Sequence, residues 1–207
     1  MKTVLLYIPR INYGNREGSM VRRVDGEKEL TELFGSRERQ IRSVDISDDG
    51  SFLLIVTTAS GTNDQAHLMD RFGNELTTFD SEEELKGGTV SVQANHVTLY
   101  SSNRVQVYRI EDQERVGSST IRQPVVYATF SEEDEQILLL SGRENRSGEL
   151  QEGKVQAIHL GRRAIARTSL SGDLSFLDRD QIRIQRIGAN RFEVLGMNQP
   201  FEISTNF

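Results

Sequence analysis

The stretch VDISDDGSFLLIVTT, residues 44 to 58, sets a tight acidic turn between two apolar runs, and ATFSEEDEQILLLSG, residues 128 to 142, repeats that outline. Ser47 aligns with Ser131, Ile46 with Phe130, and Leu53-Leu54-Ile55-Val56 with Ile137-Leu138-Leu139-Leu140. The offset is 84 residues, twice 42. A hairpin outline also recurs five times, beginning at residues 20, 66, 105, 155 and 182: a short strand, a turn rich in Gly, Asn or Asp, and a second strand. VTLYSSNRVQVYRI, 97 to 110, matches LSFLDRDQIRIQRI, 174 to 187, position for position. A chain that repeats at this spacing builds one supersecondary unit several times and buries its apolar surface between copies.

The unit is made of strands. Apolar residues alternate with polar ones at Val90, Val92 and Ala94, at Val105 and Val107, and at Ile182, Ile184 and Ile187; a two-residue period is that of a half-buried strand. The best helical candidates, ELTELFGSRER and SEEELKGG, are each interrupted by glycine within about two turns. Turn signals follow every eight to twelve residues, which predicts an all-β sandwich, barrel or propeller. Repeats averaging about 41 residues decide among these, because that is the length of a four-stranded propeller blade. RSVDIS, SFLLIVTT, QAHLMDRF and NELTTFD supply one such blade, innermost strand first.

The strand-turn-strand stretches DISDDGSFLLIV and TFSEEDEQILLL resemble the signature of WD40-like and TolB-like β-propellers, in which Ser, an acidic residue or Pro, Asp and Gly join the two inner strands. With no Trp there is no WD dipeptide, so the resemblance is to the superfamily and not to one family. It implies a single domain over residues 1–207 of five blades, one of them irregular around IARTSLSGD. KTVLLYIP reads as a second strand with none before it, and PFEISTNF as a first strand with none after it. Their pairing would close the ring and remove two exposed sheet edges. An open partial propeller or a β-sandwich is the alternative, and an open ring would favour homo-oligomers.

Composition excludes several functions. The net charge is −6, which argues against bulk nucleic-acid binding by clustered cations. Absence of Cys removes disulfides and thiolate chemistry. No apolar run reaches the length of a membrane span, and the five-residue run Val4–Ile8 is shorter than a secretory core, so a soluble, cytoplasmic protein is expected.

Chemical motifs are near misses. Gly148, Gly153 and Lys154 have phosphate-loop spacing, but Val155 stands where a hydroxyl must bind magnesium. Asp45, Ser47, Asp49 and Gly50 imitate the start of a calcium loop without its distal Glu and read as a β-turn. His67, His96 and His159 fall in separate blades, where zinc needs converging ligands. No cofactor is implied.

The long connections are more informative: residues 9–19, 59–65 and 142–154 should share one face with the links 35–40 and 80–88. Arg10, Tyr13, Arg16, Arg143, Asn145 and Arg146 are the candidate binding residues there, Arg and Tyr being enriched at interface hot spots. The leading reading is a non-enzymatic scaffold that binds a protein or peptide through this face, as a subunit of a larger assembly. The alternative is a glycoside hydrolase or lectin-like sugar binder using a central pocket, with Asp45, Asp173 and Asp178 near inner strands.

Overall fold

In the computed structural model the described residues are 4–12, 17–25, 29–36, 38–131, 136–145, 150–160, 165–169, 183–188, 191–196 and 201–204. Every regular element among them is a strand. They form five antiparallel sheets in chain order. The first contains β1 (Val4–Asn12), β2 (Glu17–Asp25) and β3 (Glu29–Ser36). The second contains β4 (Gln40–Ile46), β5 (Phe52–Thr58), β6 (Asp64–Asp70) and β7 (Glu75–Ser81). The third contains β8 (Leu85–Val90), β9 (His96–Ser101), β10 (Arg104–Arg109) and β11 (Arg115–Thr120). The fourth contains β12 (Val125–Phe130), β13 (Gln136–Glu144), β14 (Leu150–His159) and β15 (Ile165–Ser169). The fifth contains β16 (Arg183–Gly188), β17 (Arg191–Leu195) and β18 (Phe201–Ser204). All five hairpins expected from the sequence are present, as β2–β3, β6–β7, β10–β11, β14–β15 and β16–β17.

The sheets pack face to face, and the apolar runs of the second strands explain why. Successive side chains on a strand point to opposite faces, so a continuous run is stable only where both faces are covered. Leu53 and Ile55 of β5 face a cluster with Ile41 and Met69, against which Phe34 of the first sheet packs. Leu54 and Val56 face the third sheet, joining Phe79, Leu85, Val97 and Leu99. On β13, Ile137 and Leu139 join Tyr100, Val105 and Val107 of the third sheet, while Leu138 and Leu140 join Ile184 and Val194 of the fifth. Each fully buried side chain of this size contributes roughly 1.5–3 kcal/mol relative to exposure. β4, β8 and β12 lie innermost and approach one another.

One turn recurs between the first and second strands. Ser47 N–H donates to Phe52 C=O at 3.0 Å, Ser91 N–H to His96 C=O at 2.9 Å, and Ser131 N–H to Gln136 C=O at 2.9 Å. Their hydroxyl oxygens accept from Phe52 N–H, from Asn95 and His96 N–H, and from Gln136 N–H, respectively. All three serines are buried. The sequence signals only Ser47 and Ser131; Ser91 keeps the same geometry in VSVQANHV, where Ala94 takes the left-handed position (φ +57°) that Gly50 occupies (φ +70°) in the first copy.

Two expectations change. Residues 9–19 and 142–154 are not long connections: β1 and β2 stay paired out to Asn12 and Glu17, and β13 and β14 out to Glu144 and Leu150, with bulges absorbing the mismatch. The stretch ELTELFGS, a helical candidate, is strand β3. Among the described residues β18 pairs with β17 and β1 with β2, each along one edge, and the expected pairing of the terminal strands is not among them. The irregular stretch IARTSLSGD begins as β15, the outermost strand of the fourth sheet, and its remainder lies outside the described residues.

The serine turns make two predictions for urea unfolding. Ser91→Ala leaves two part-buried N–H groups without their side-chain acceptor and should lower stability by about 1 kcal/mol. Ala94→Gly relieves the left-handed strain and should raise it by about 1 kcal/mol. A midpoint shift of opposite sign in either variant contradicts this account.

Candidate binding face

The antiparallel order sends connections alternately to two ends of the sheets. At one end lie the serine turns and the hairpin turns at 71–74 and 110–114. These are bound into themselves. Asp70 accepts from Phe72 N–H, Asn74 N–H and the Asn74 amide, which holds its carboxyl below the usual carboxylate range. Asp49 accepts from the Ser51 and Ser47 hydroxyls and from Ser51 N–H, and is likewise lowered. Asp112 is lowered by the Glu114 N–H and the Arg109 guanidinium.

The other end carries the connections 59–63, 82–84, 102–103 and 121–124. Polar side chains tie one connection to the next. Arg39, just before β4, donates to Thr57 Oγ1 at 2.7 Å, Asn63 C=O at 2.6 Å and Thr62 Oγ1 at 3.2 Å. Buried Asp64 accepts from Leu85 N–H at 2.8 Å. Ser101 Oγ donates to Glu83 at 2.6 Å, and Glu83 pairs with Arg104 at 2.7 Å. Glu84 pairs with Lys86 and Arg42, which together hold its carboxyl below the usual range.

Two cavities open among these connections. One of about 460 Å³ is lined by Glu83, Glu84, Ser101–Asn103 and Arg122–Pro124. The other, about 120 Å³, is lined by Arg122, Gln123, Lys154 and Gln156. Arg122 and Gln123 belong to both, so the two form one groove across the third and fourth sheets. A third cavity, about 450 Å³, lies between those sheets at their outer strands. Its origin is a substitution within the repeat: Phe79 of β7 fills the matching space between the second and third sheets, and Ser119 of β11 stands at the equivalent register position.

Of the residues expected at this face, Arg143 is exposed on β13 opposite Gln151, and Asn145 follows the end of that strand. Neither lines any of these three cavities. Arg10 lies on β1, and Tyr13, Arg16 and Arg146 lie outside the described residues. Arg122, Gln123, Lys154 and Gln156, which line the cavities at this end, were not among the residues singled out from the sequence. The first two sit in a four-residue link and the last two inside a strand, and nothing in their local sequence marks them out.

The carboxylate considered for chemistry at the centre is engaged. Asp45 of β4 accepts from Thr89 Oγ1 and Val90 N–H of β8, both at 2.8 Å, and so joins two innermost strands. Tyr100 lies near it, its phenol pushed up by burial and then by Tyr127 and Asp45. Asp173 and Asp178 lie outside the described residues. Among the described residues no three His, Cys, Asp or Glu side chains converge as a metal site. His67 is engaged within its sheet, at 2.9 Å from Glu75 and 3.2 Å from Thr57. No helix among them is long and apolar enough to cross a membrane.

No family model matches the chain, and no curated protein matches it. The crystal structure of the C-terminal WD40 domain of Sif2 does match, with a TM-score of 0.59 at 16% identity, over 98% of this chain and 54% of that one. The fold is that of a WD40-like β-propeller. The chain spans about half the length of the solved WD40 domain it matches.

Within this propeller the innermost contacts are tight. A Cβ at Gly88 of β8 would come within 2.8 Å of both Leu54 and Leu99, a close approach that glycine permits in a strand. Gly88→Val should therefore lower stability by about 1–3 kcal/mol in denaturant unfolding. A variant as stable as the parent would show that the inner strands are not close-packed here.

Proposed function

We propose that the chain is a non-enzymatic interaction module, a propeller domain of five blades that holds a protein or short peptide on its connection-rich face. The observation that carries this reading is the groove formed by the two joined cavities, which crosses two sheets and is floored by ordered polar side chains. The hydrogen bonds of Ser101 and Glu83, which line the groove, and of Asp64, which holds Leu85 N–H next to Glu84, give it a fixed shape, and a site that is ordered before binding loses less entropy on association. The opposite end offers hydrogen bonds already closed within its own turns. WD40-like domains serve broadly as interaction scaffolds, which agrees with this assignment. The reading of a hydrolase built on Asp45 is less well supported, because its carboxylate accepts from a hydroxyl and a backbone N–H of β8 and so ties two inner strands together.

Site-specific photo-crosslinking separates the two ends. A photoreactive residue at Ser102, in the groove, should yield adducts in extract of the native host, whereas the same residue at Asp48, in the first serine turn, should not. Equal adducts from both positions, or adducts from Asp48 alone, would sink the assignment of the face.

A further inference from the structure

The smaller end of the groove brings two cations together without a described carboxylate beside them. Arg42, Lys86, Arg104 and Arg109 are each paired with a carboxylate. Arg122 and Lys154 line the 120 Å³ cavity together, and neither has an acidic partner among the described residues. The floor is Gln156, 5% exposed, whose amide donates to Ser141 Oγ at 2.9 Å and is thereby fixed. Gln123 completes the wall. Its Nε2 donates to Glu152 at 3.1 Å, while its Oε1 is buried and accepts nothing among the described residues.

Two cations beside a buried acceptor make a specific request. The cations call for a carboxylate, with guanidinium and ammonium supplying charge-assisted hydrogen bonds. The unfilled acceptor calls for an N–H, since a buried polar atom without a partner is unfavourable. An acidic residue within a polypeptide offers both. We propose that the pocket of Arg122, Gln123, Lys154 and Gln156 is a subsite for an Asp or Glu residue of an acidic peptide segment, its carboxylate on Arg122 and Lys154 and a backbone N–H on Gln123 Oε1. This rests on the connection-rich face being the binding face. The volume, about that of four waters, takes a carboxylate with its methylene and no aromatic side chain. The chain's charge of −6 makes capture of acidic segments a local property of this pocket, so it should be sensitive to salt.

The test uses the full chain and a fluorescently labelled, terminally blocked hexaglutamate peptide, with hexaglutamine as control, read by anisotropy. Hexaglutamate should bind and hexaglutamine should not. Arg122→Ala/Lys154→Ala should weaken hexaglutamate binding about tenfold or more, while Arg109→Ala, which alters a cation at the opposite end, should leave it unchanged. Gln123→Leu should weaken hexaglutamate but not the competition by inorganic phosphate, which has no peptide N–H. The melting temperature of each variant, kept near that of the parent, establishes that folding is intact. If hexaglutamate does not bind, or binds the double variant as tightly as the parent, the subsite is wrong. Crosslinking from Ser102 that persists in the double variant would then retain the face while rejecting the acidic ligand.

Discussion

The structure depends on burying the second strand of a sheet from both sides at once. Leu53-Leu54-Ile55-Val56 and Ile137-Leu138-Leu139-Leu140 send alternate side chains into two different cores. Neither run is satisfied by a single sheet with one wet face, which is the usual state of an antiparallel sheet. The second, third and fourth sheets therefore each have a neighbour on both sides, and they stack about an inner line of β4, β8 and β12. Asp45 adds direction to this packing: its carboxylate ties β4 to β8 through two 2.8 Å hydrogen bonds, which fix how neighbouring sheets meet in a way that non-directional apolar contact cannot.

Most of the fold was legible because its signals are local. A two-residue period and a turn of fixed chemistry identify hairpins without knowledge of the rest of the chain, and all five expected hairpins are found. Ser91 shows the limit. Its turn keeps the hydrogen bonds of Ser47 and Ser131, but Ala94 replaces the glycine and no acidic residue follows, so the geometry survives after the visible signature has gone. The connections were overestimated for the opposite reason. Polar residues such as Arg10 and Arg143 read as loop, yet pairing extends through them, because strand pairing beyond the core needs only backbone partners.

The pairing of the terminal strands was a non-local inference and had no such protection. PFEIS alternates as a strand does, which sequence shows, but alternation does not choose a partner; among the described residues it pairs, as β18, with β17 along one edge. Cavities fail in the same way. The space between the third and fourth sheets exists because Ser119 stands where the preceding sheet has Phe79, and that comparison has meaning only once the register of β7 and β11 is known.

The two ends of the sheets differ in how their polar side chains are engaged. At the turn end the serine hydroxyls and the carboxylates of Asp49, Asp70 and Asp112 are engaged in closing their own turns, so substituting them disturbs the hairpins before it alters any surface. At the connection end the ties of Arg39, Asp64 and Glu83 secure the links, and they leave Arg122, Lys154 and one face of Gln123 outside every described network. A cation with no structural partner can be replaced without unravelling the sheet beneath it. The groove is thus the part of this propeller where sequence can change to suit a ligand at little expense in stability, and a propeller whose inner strands carry its architecture leaves that freedom at one end.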